Sequence, residues 1–268
     1  MRVKELLEEG AKRIAGISDI PKKEARILLA SYLKKDQLWL LTHEDEDVCE
    51  KGYLEFIERR TRNEPIEYIT NSANFYSRDF YVDKRVLIPR PETEILIDEV
   101  VSTCKGLKRP IIVEIGTGSG IISIMLAILL PHALIKAIDI SPGALAVAAL
   151  NAEKHGVSER IEFILSDLLD ECSEKNFDIL VSNPPYIADD EPLHVGLSYE
   201  PNLALYGGKV GGEILENIFH LAIDRKVTYL ACEMGYDQRE QICKLASHYT
   251  PKFYKDLASL DRGFVIKL

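Results

Sequence analysis

Four consecutive residues, Asn183-Pro184-Pro185-Tyr186, set one carboxamide, two prolines and one aromatic ring directly after the apolar run 177–182. That run reads as a buried strand. Two prolines remove two backbone N–H donors and cannot continue a central strand. The chain therefore leaves the sheet as a rigid loop rich in acceptors, with a flat ring at its end. Such a loop suits a planar NH2 group, because it can accept both hydrogens and cover one side of the plane. A plain strand-ending turn is the alternative, since Asn-Pro is a common turn former.

A second cluster precedes it. The β-branched run 111–115 leads into Gly116-Thr117-Gly118-Ser119-Gly120 and then the apolar helix candidate 121–130. The spacing is G-x-G-x-G, and position 121, where a dinucleotide fingerprint has its third glycine, is isoleucine. Glycines at this point let the backbone approach a ligand and turn tightly into a helix N-terminus. The strand candidate 134–138 ends in Asp139, about twenty residues past the glycines, where a carboxylate is placed to bind vicinal ribose hydroxyls. The candidate 161–165 ends in Ser166-Asp167, where a carboxylate can accept from an adenine amino group. Asp139 alone could equally cap the helix that begins after Ser141. The ordered set of strand ends is more specific than any one of them.

These residues need a scaffold that brings distant strand ends together. From Pro110 onward strands and helices alternate, which implies a mostly parallel, doubly wound α/β sheet. Its carboxyl edge, where such sheets bind ligands, would carry Gly116, Asp139, Asp167 and Asn183. Later strands are expected over 227–232 and 264–267, with a helix over 238–247. Upstream, 92–101 reads as a helix, and the aromatics Phe75, Tyr76, Phe80 and Tyr81 among polar residues suggest a short hairpin in a linker over 65–90. The first 64 residues read as a small helical bundle. Val3, Leu6, Leu7, Ala11 and Ile14 share one helical face, and Pro21 opens a second helix with Ala25, Leu28, Leu29, Tyr32 and Leu33 inward. A third helix is expected over 48–60. The apolar cluster Leu38-Trp39-Leu40-Leu41 is taken as a docking patch.

The whole chain narrows the classes. At 268 residues, 46% apolar and 28% charged, it can bury a sizeable core in one large or two small domains. Its amphipathic, charged start is unlike a signal peptide, and the most apolar stretch is too short to span a bilayer. A cytoplasmic location follows as an expectation, with no membrane partner. Five cysteines form no C-x-x-C pair, which points to free thiols and to no metal site. A net charge of −10 argues against broad nucleic-acid binding, which needs a basic surface. An acidic face could instead attract a basic protein.

The motifs resemble those of class I S-adenosylmethionine-dependent methyltransferases, in which E/D-x-G-x-G-x-G is the cofactor loop and [N/D]-P-P-[Y/F/W] the amino-group site. More narrowly, the chain resembles the HemK/PrmC family, which methylates the side-chain amide of glutamine in peptide-chain release factors. The narrower match rests on Ile88-Pro89-Arg90-Pro91-Glu92-Thr93-Glu94, on Glu64-Pro65-Ile66-Glu67-Tyr68, on Glu200-Pro201 with Ala204-Leu205 and Gly207-Gly208, and on Glu233-Met234-Gly235 with Gln238. Two departures stand out: Asn71 where the family often has glycine, and Leu168 where an aromatic often follows the adenine-binding Asp. The first bears on a turn and the second on stacking against adenine.

The resemblance implies a Rossmann-like methyltransferase domain over 91–268, a substrate-recognition domain over 1–64, and a seventh, antiparallel strand near the C-terminus. It implies S-adenosylmethionine as cofactor, leaving S-adenosylhomocysteine, with no metal, and release factors as protein partners. Glu114, Gly116, Thr117, Gly118, Ser119, Gly120, Asp139, Asp167, Leu168 and Asn183 are then the cofactor site, and Asn183, Pro184, Pro185 and Tyr186 the substrate and catalytic loop. Asn183 Oδ1 and the Pro184 carbonyl are assigned to the two amide hydrogens and Tyr186 to the amide plane. For Glu114, ordering the loop and contacting the methionine ammonium stay open together. Arg90 and Glu92 are expected to pair at the entrance. The rival reading is a nucleic-acid amino-group methyltransferase acting on adenine N6 or guanine N2, after flipping the base. A catalytically silent scaffold is the third.

Overall fold

The computed structural model describes all residues, 1–268, and they form two compact units: Met1–Ser72 with Leu193–Tyr199, and Ala73–Pro192 with Glu200–Leu268. The first unit is helical: α1 (Val3–Ile14), α2 (Pro21–Leu33), α3 (Gln37–Thr42), α4 (Lys51–Thr61) and α5 (Ile66–Thr70). In α1 the buried positions are Val3, Leu6, Gly10 and Ile14, spaced three and four apart as one helical face requires. Ala11 packs against this core partly buried, as expected, and Gly10 beside it is buried, where a Cβ would lie 1.9 Å from the Tyr53 hydroxyl of α4. Pro21 opens α2 as expected, and Lys34 ends it in the left-handed region at φ 53°. Glu24 and Arg60 join α2 to α4 through a largely buried ion pair at 2.9 Å.

Three local features of this unit differ from expectation. The Leu38–Leu41 cluster is a short helix whose cap, Asp36, accepts from the Trp39 N–H at 2.7 Å; Leu40 is buried, while Leu38 and Leu41 are exposed. Helix α4 starts three residues later than the sequence suggests. Helix α5 is additional, and it ends at Asn71 with φ 53°. That conformation suits glycine, and asparagine is among the few other residues that adopt it readily. The departure at Asn71 therefore leaves the turn intact.

The second unit begins with the expected hairpin, β1 (Ala73–Phe75) and β2 (Arg78–Phe80), turned at Tyr76 and Ser77, both with positive φ. It continues through α6 (Thr93–Thr103), β3 (Ile111–Ile115), α7 (Ile121–Leu129), β4 (Leu134–Asp139), α8 (Pro142–Lys154), β5 (Ile161–Leu165) and β6 (Ile179–Ser182). A short parallel pair, β7 (Ile187–Ala188) and β8 (Tyr206–Gly208), precedes α9 (Glu213–Asp224), β9 (Tyr229–Glu233), α10 (Arg239–Leu245), β10 (Lys252–Lys255) and β11 (Asp261–Lys267). The main sheet has seven strands in the order β10-β11-β9-β6-β3-β4-β5. Strands β3, β4, β5, β6 and β9 are parallel, and β11 is antiparallel to both its neighbours.

Both faces of this sheet are buried, which is why its central strands read as unbroken apolar runs. Ile112, Ile135, Ile179 and Val181 pack with Leu96, Ile97 and Val100 of α6 and the wholly buried segment 121–127 of α7. Val113, Ile115, Leu180 and Leu230 pack on the other side with Leu215, Ile218 and Phe219 of α9 and Ile242 of α10. The chain winds outward from β3 to β4 and β5, then returns to place β6 on the opposite side of β3. A crevice opens at the carboxyl ends where a sheet reverses in this way. Gly116 and Asn183 follow β3 and β6 there.

Candidate active site

The cleft at that edge is lined by Glu114, Gly116, Thr117, Gly118, Ser119, Asp139, Asp167, Leu168, Asn183 and Pro185 from the expected set. Gly120, Pro184 and Tyr186 are not part of its lining. Segment 85–90, Thr93, Pro201, Leu203 and Ala204 also line it, and none of these had an assigned role at the cofactor.

Gly116 and Gly118 have φ of 74° and 55°, and a Cβ at either would meet only open space. The protein thus leaves room at the cleft surface while holding the backbone in the left-handed region that glycine tolerates. Gly120 serves packing instead: at φ 84°, a Cβ would stand 3.0 Å from Ala148 Cβ and Ile124 Cδ1. The N–H groups of Gly116 and Thr117 both donate to the Ile138 carbonyl at 2.9 Å, which ties the loop to β4.

Two carboxylates order this loop from behind. Glu114 is 1% exposed, and its Oε2 accepts from the Thr117 hydroxyl at 2.8 Å, from the Ser123 N–H at 3.1 Å and from the Ser123 hydroxyl. Its Oε1 is buried without a partner. Burial pushes the Glu114 carboxyl up to about 7, against those donors. Asp139 Oδ2 accepts from the Gly118 N–H at 2.8 Å and Oδ1 from the Ser141 N–H at 2.9 Å. Burial raises its carboxyl as well, with the backbone donors opposing. Ser141, in turn, caps α8 by accepting from the Ala144 N–H at 3.2 Å, so capping falls to the serine and Asp139 keeps acceptor capacity. Asp167 is exposed, and Leu168 beside it holds φ 47°, an unfavourable conformation for a branched side chain.

The Asn-Pro-Pro-Tyr turn is held by residues far away in sequence. Asn183 Nδ2 donates to Thr93 Oγ1 at 3.2 Å, and the Thr93 hydroxyl donates to Glu233 Oε2 at 2.7 Å. Burial brings the Glu233 carboxyl up to about 7, with Thr93 opposing, Glu92 adding to the rise, and Arg262 and the Asn183 amide opposing it further. Burial takes the Tyr186 phenol up to about 12, with the charge of Glu233 adding to the rise and those of Arg262 and Arg90 opposing it. Behind the turn, a Cβ on Gly207 would fall 2.4 Å from the Pro185 oxygen, and one on Gly211 2.4 Å from the Tyr186 oxygen. Gln238 braces Gly211, donating from Nε2 to its carbonyl at 2.9 Å while Oε1 accepts from the Gly235 N–H at 2.9 Å.

Arg90 does not pair with Glu92. It pairs with Glu200, 4% exposed, whose second oxygen accepts from the Ile88 N–H at 2.9 Å. A carboxylate that can take both a guanidinium and a backbone N–H outcompetes a neighbour two residues away on the same turn. This link fixes segment 88–90 to the Glu200-Pro201 segment. The sequence placed both in one family pattern, but nothing local joined them.

The remaining site chemistry is spare. The five cysteines are unpaired, three of them buried. No helix is long and apolar enough to cross a membrane.

Known proteins resemble this chain in both sequence and fold. Residues 5–70 match the family model described as the PrmC N-terminal domain, and residues 91–196 the methyltransferase small domain. A bifunctional methyltransferase of Rickettsia typhi is 37% identical over 97% of this chain and 56% of its own length. The chain thus spans about half the length of the relatives of that kind. A release factor glutamine methyltransferase of Clostridium botulinum is 36% identical over 98% of both chains. Among solved structures, the hMettl16 catalytic domain in complex with a MAT2A 3′UTR hairpin shares the fold, with a TM-score of 0.57 and 15% identity over 70% of this chain and 74% of that one.

Proposed function

We propose a reaction for this chain from the premise that it belongs to the HemK/PrmC methyltransferase family: methyl transfer from S-adenosylmethionine to the side-chain amide nitrogen of glutamine in the Gly-Gly-Gln loop of peptide-chain release factors. The observation that carries it is one cleft that gathers the open glycine loop, Asp139, Asp167 and the Asn183 carboxamide. The residues suit this cofactor. Gly116 and Gly118 leave space against the backbone, Asp139 retains acceptor sites for ribose hydroxyls, and the exposed Asp167 is free to accept from adenine. The unpartnered Glu114 Oε1 gives the loop a buried acceptor, while its other oxygen already orders the turn.

S-adenosylmethionine, when bound, supplies a methyl group activated on a sulfonium. A primary amide is a poor nucleophile because its nitrogen lone pair is delocalised into the carbonyl, so the protein's task is alignment and electronic bias. Asn183 Oδ1 and the Pro184 carbonyl accept the two amide hydrogens, drawing density onto nitrogen and aiming its lone pair. The double proline fixes these acceptors before the substrate arrives, which is preorganisation. Tyr186 covers the outer side of the amide plane. The helical unit contributes recognition of the protein substrate.

Incubation with labelled S-adenosylmethionine and a purified release factor, in parallel with tRNA and single-stranded DNA, tests the assignment. Label in the release factor alone supports it. Label in nucleic acid alone replaces it with the amino-group reading.

A further inference from the structure

We propose that Thr93 and Glu233 are positioning residues that orient the Asn183 carboxamide, presenting its oxygen to the acceptor amide. The inference rests on the glutamine-methylation reading above and assigns roles that the motif alone does not.

The parallel register sets the geometry. Ser182 at the end of β6 pairs with Cys232 in β9, so Asn183, the first residue past β6, stands beside Glu233, the last residue of β9 and still paired with Gly263 of β11. Thr93, fully buried at the start of α6, stands between them. A hydroxyl has one proton to give. Thr93 gives it to Glu233 Oε2 at 2.7 Å and so can only accept from its other neighbour. That neighbour is Asn183 Nδ2 at 3.2 Å. A carboxamide carries its donor and acceptor at opposite ends of one plane, so anchoring Nδ2 on Thr93 directs Oδ1 away from it. The flipped amide would set two oxygens against each other with no proton between them. Glu233 is thus the element that decides which end of Asn183 is free.

Glu233 is otherwise hard to account for. It is 2% exposed and has no ion-pair partner within 4.0 Å; the nearby Arg262 pairs with Asp256 instead. A buried carboxylate without a cation costs the fold stability. Orientation of the catalytic amide gives that cost a purpose.

The test is a kcat and KM comparison of wild type, Thr93→Val, Thr93→Ser, Glu233→Gln and Asn183→Ala on a purified release factor at pH 8, with cofactor affinity measured on each. Thr93→Val is expected to lower kcat about 10- to 100-fold, as a misaligned reacting group does, while cofactor affinity stays at the wild-type value. Thr93→Ser should restore most of the loss. Glu233→Gln, which keeps the shape and guards against a folding failure in Thr93→Val, should lower kcat by about 10-fold, because its amide can donate to Thr93 and free the hydroxyl proton to turn toward Asn183. Wild-type kcat in Thr93→Val and Glu233→Gln beside an inactive Asn183→Ala would overturn the positioning role and leave the reaction standing. So would a loss in Thr93→Val that serine does not restore. A wild-type protein that transfers nothing to glutamine would overturn the reaction and this inference together.

Discussion

Replacing Gly207 by alanine asks how rigidly the fold must hold the Asn-Pro-Pro-Tyr turn. The added Cβ would lie 2.4 Å from the Pro185 carbonyl oxygen, 2.5 Å from the Gly211 oxygen and 3.0 Å from the Pro185 carbonyl carbon. Carbon and oxygen in contact rest about 3.3 Å apart, so close to 1 Å must be recovered. All three obstacles are backbone atoms, and the two oxygens belong to different segments, so retreat from one leads toward another. The turn is the part that must give. A displacement of about 1 Å at a reacting group costs roughly 100-fold in rate, and overpacking of this kind destabilises by about 1–3 kcal/mol. Gly207→Ala should therefore lower kcat by about two orders of magnitude while S-adenosylmethionine affinity is retained, because the cofactor loop and Asp139 hang from β3 and β4. Turnover, calorimetric cofactor binding and thermal melting on one preparation separate these effects. A variant with wild-type kcat and wild-type melting temperature would refute the claim that backbone packing behind Pro185 sets the catalytic geometry.

Other perturbations follow from the same contacts. Asp139→Ala removes the acceptor for the Gly118 and Ser141 N–H groups together with the ribose acceptor, and should weaken cofactor binding about 10- to 100-fold, the worth of a hydrogen bond to a charged group; an unchanged calorimetric Kd contradicts the assignment. Glu114 titrates near 7 in the fold against 4.5 as its ordinary value. Its raised carboxyl binds a proton in the folded state that the unfolded chain has already lost, so its contribution to stability is full below about pH 4.5 and is lost as the pH rises through about 7. Glu114→Gln, which can turn its oxygen to the Ser123 and Thr117 donors, should lessen the decline between pH 5 and pH 8 in denaturant melts, leaving the share of Glu233, whose buried carboxyl is raised to about 7 as well; a decline equal to the wild type's would place its source elsewhere.

Much of the glycine-loop side of the cleft was legible because its signals are local. Strand β5 has the expected bounds, and an apolar β-branched run ending in glycines or in an aspartate marks both a strand and its exit. The two-sided burial of the sheet made those runs continuous and easy to see. The support of the Asn-Pro-Pro-Tyr turn was not legible in that way. Thr93 and Glu233 lie 140 positions apart, Ile88 and Glu200 lie 112 apart, and no periodicity reports which distant segments the sheet will bring together. The expected Arg90–Glu92 pair failed for the same reason: the better partner was out of sight. The helices Gln37–Thr42 and Ile66–Thr70 are too short to display a repeat, although Asp36 three residues before Trp39 was a readable cap. Leu168 in the left-handed region carries no local sequence signal.

The central claim is that Asn183 aligns a glutamine amide for methylation. Fragmentation mass spectrometry of a purified release factor, after incubation with S-adenosylmethionine and either the wild type or Asn183→Ala, tests it most directly. The account predicts one added methyl on the side-chain amide of the Gly-Gly-Gln glutamine with the wild type. With Asn183→Ala it predicts a loss of orders of magnitude in transfer at preserved cofactor affinity. A methyl on any other residue, or an Asn183→Ala variant that methylates the glutamine at the wild-type rate, would contradict it.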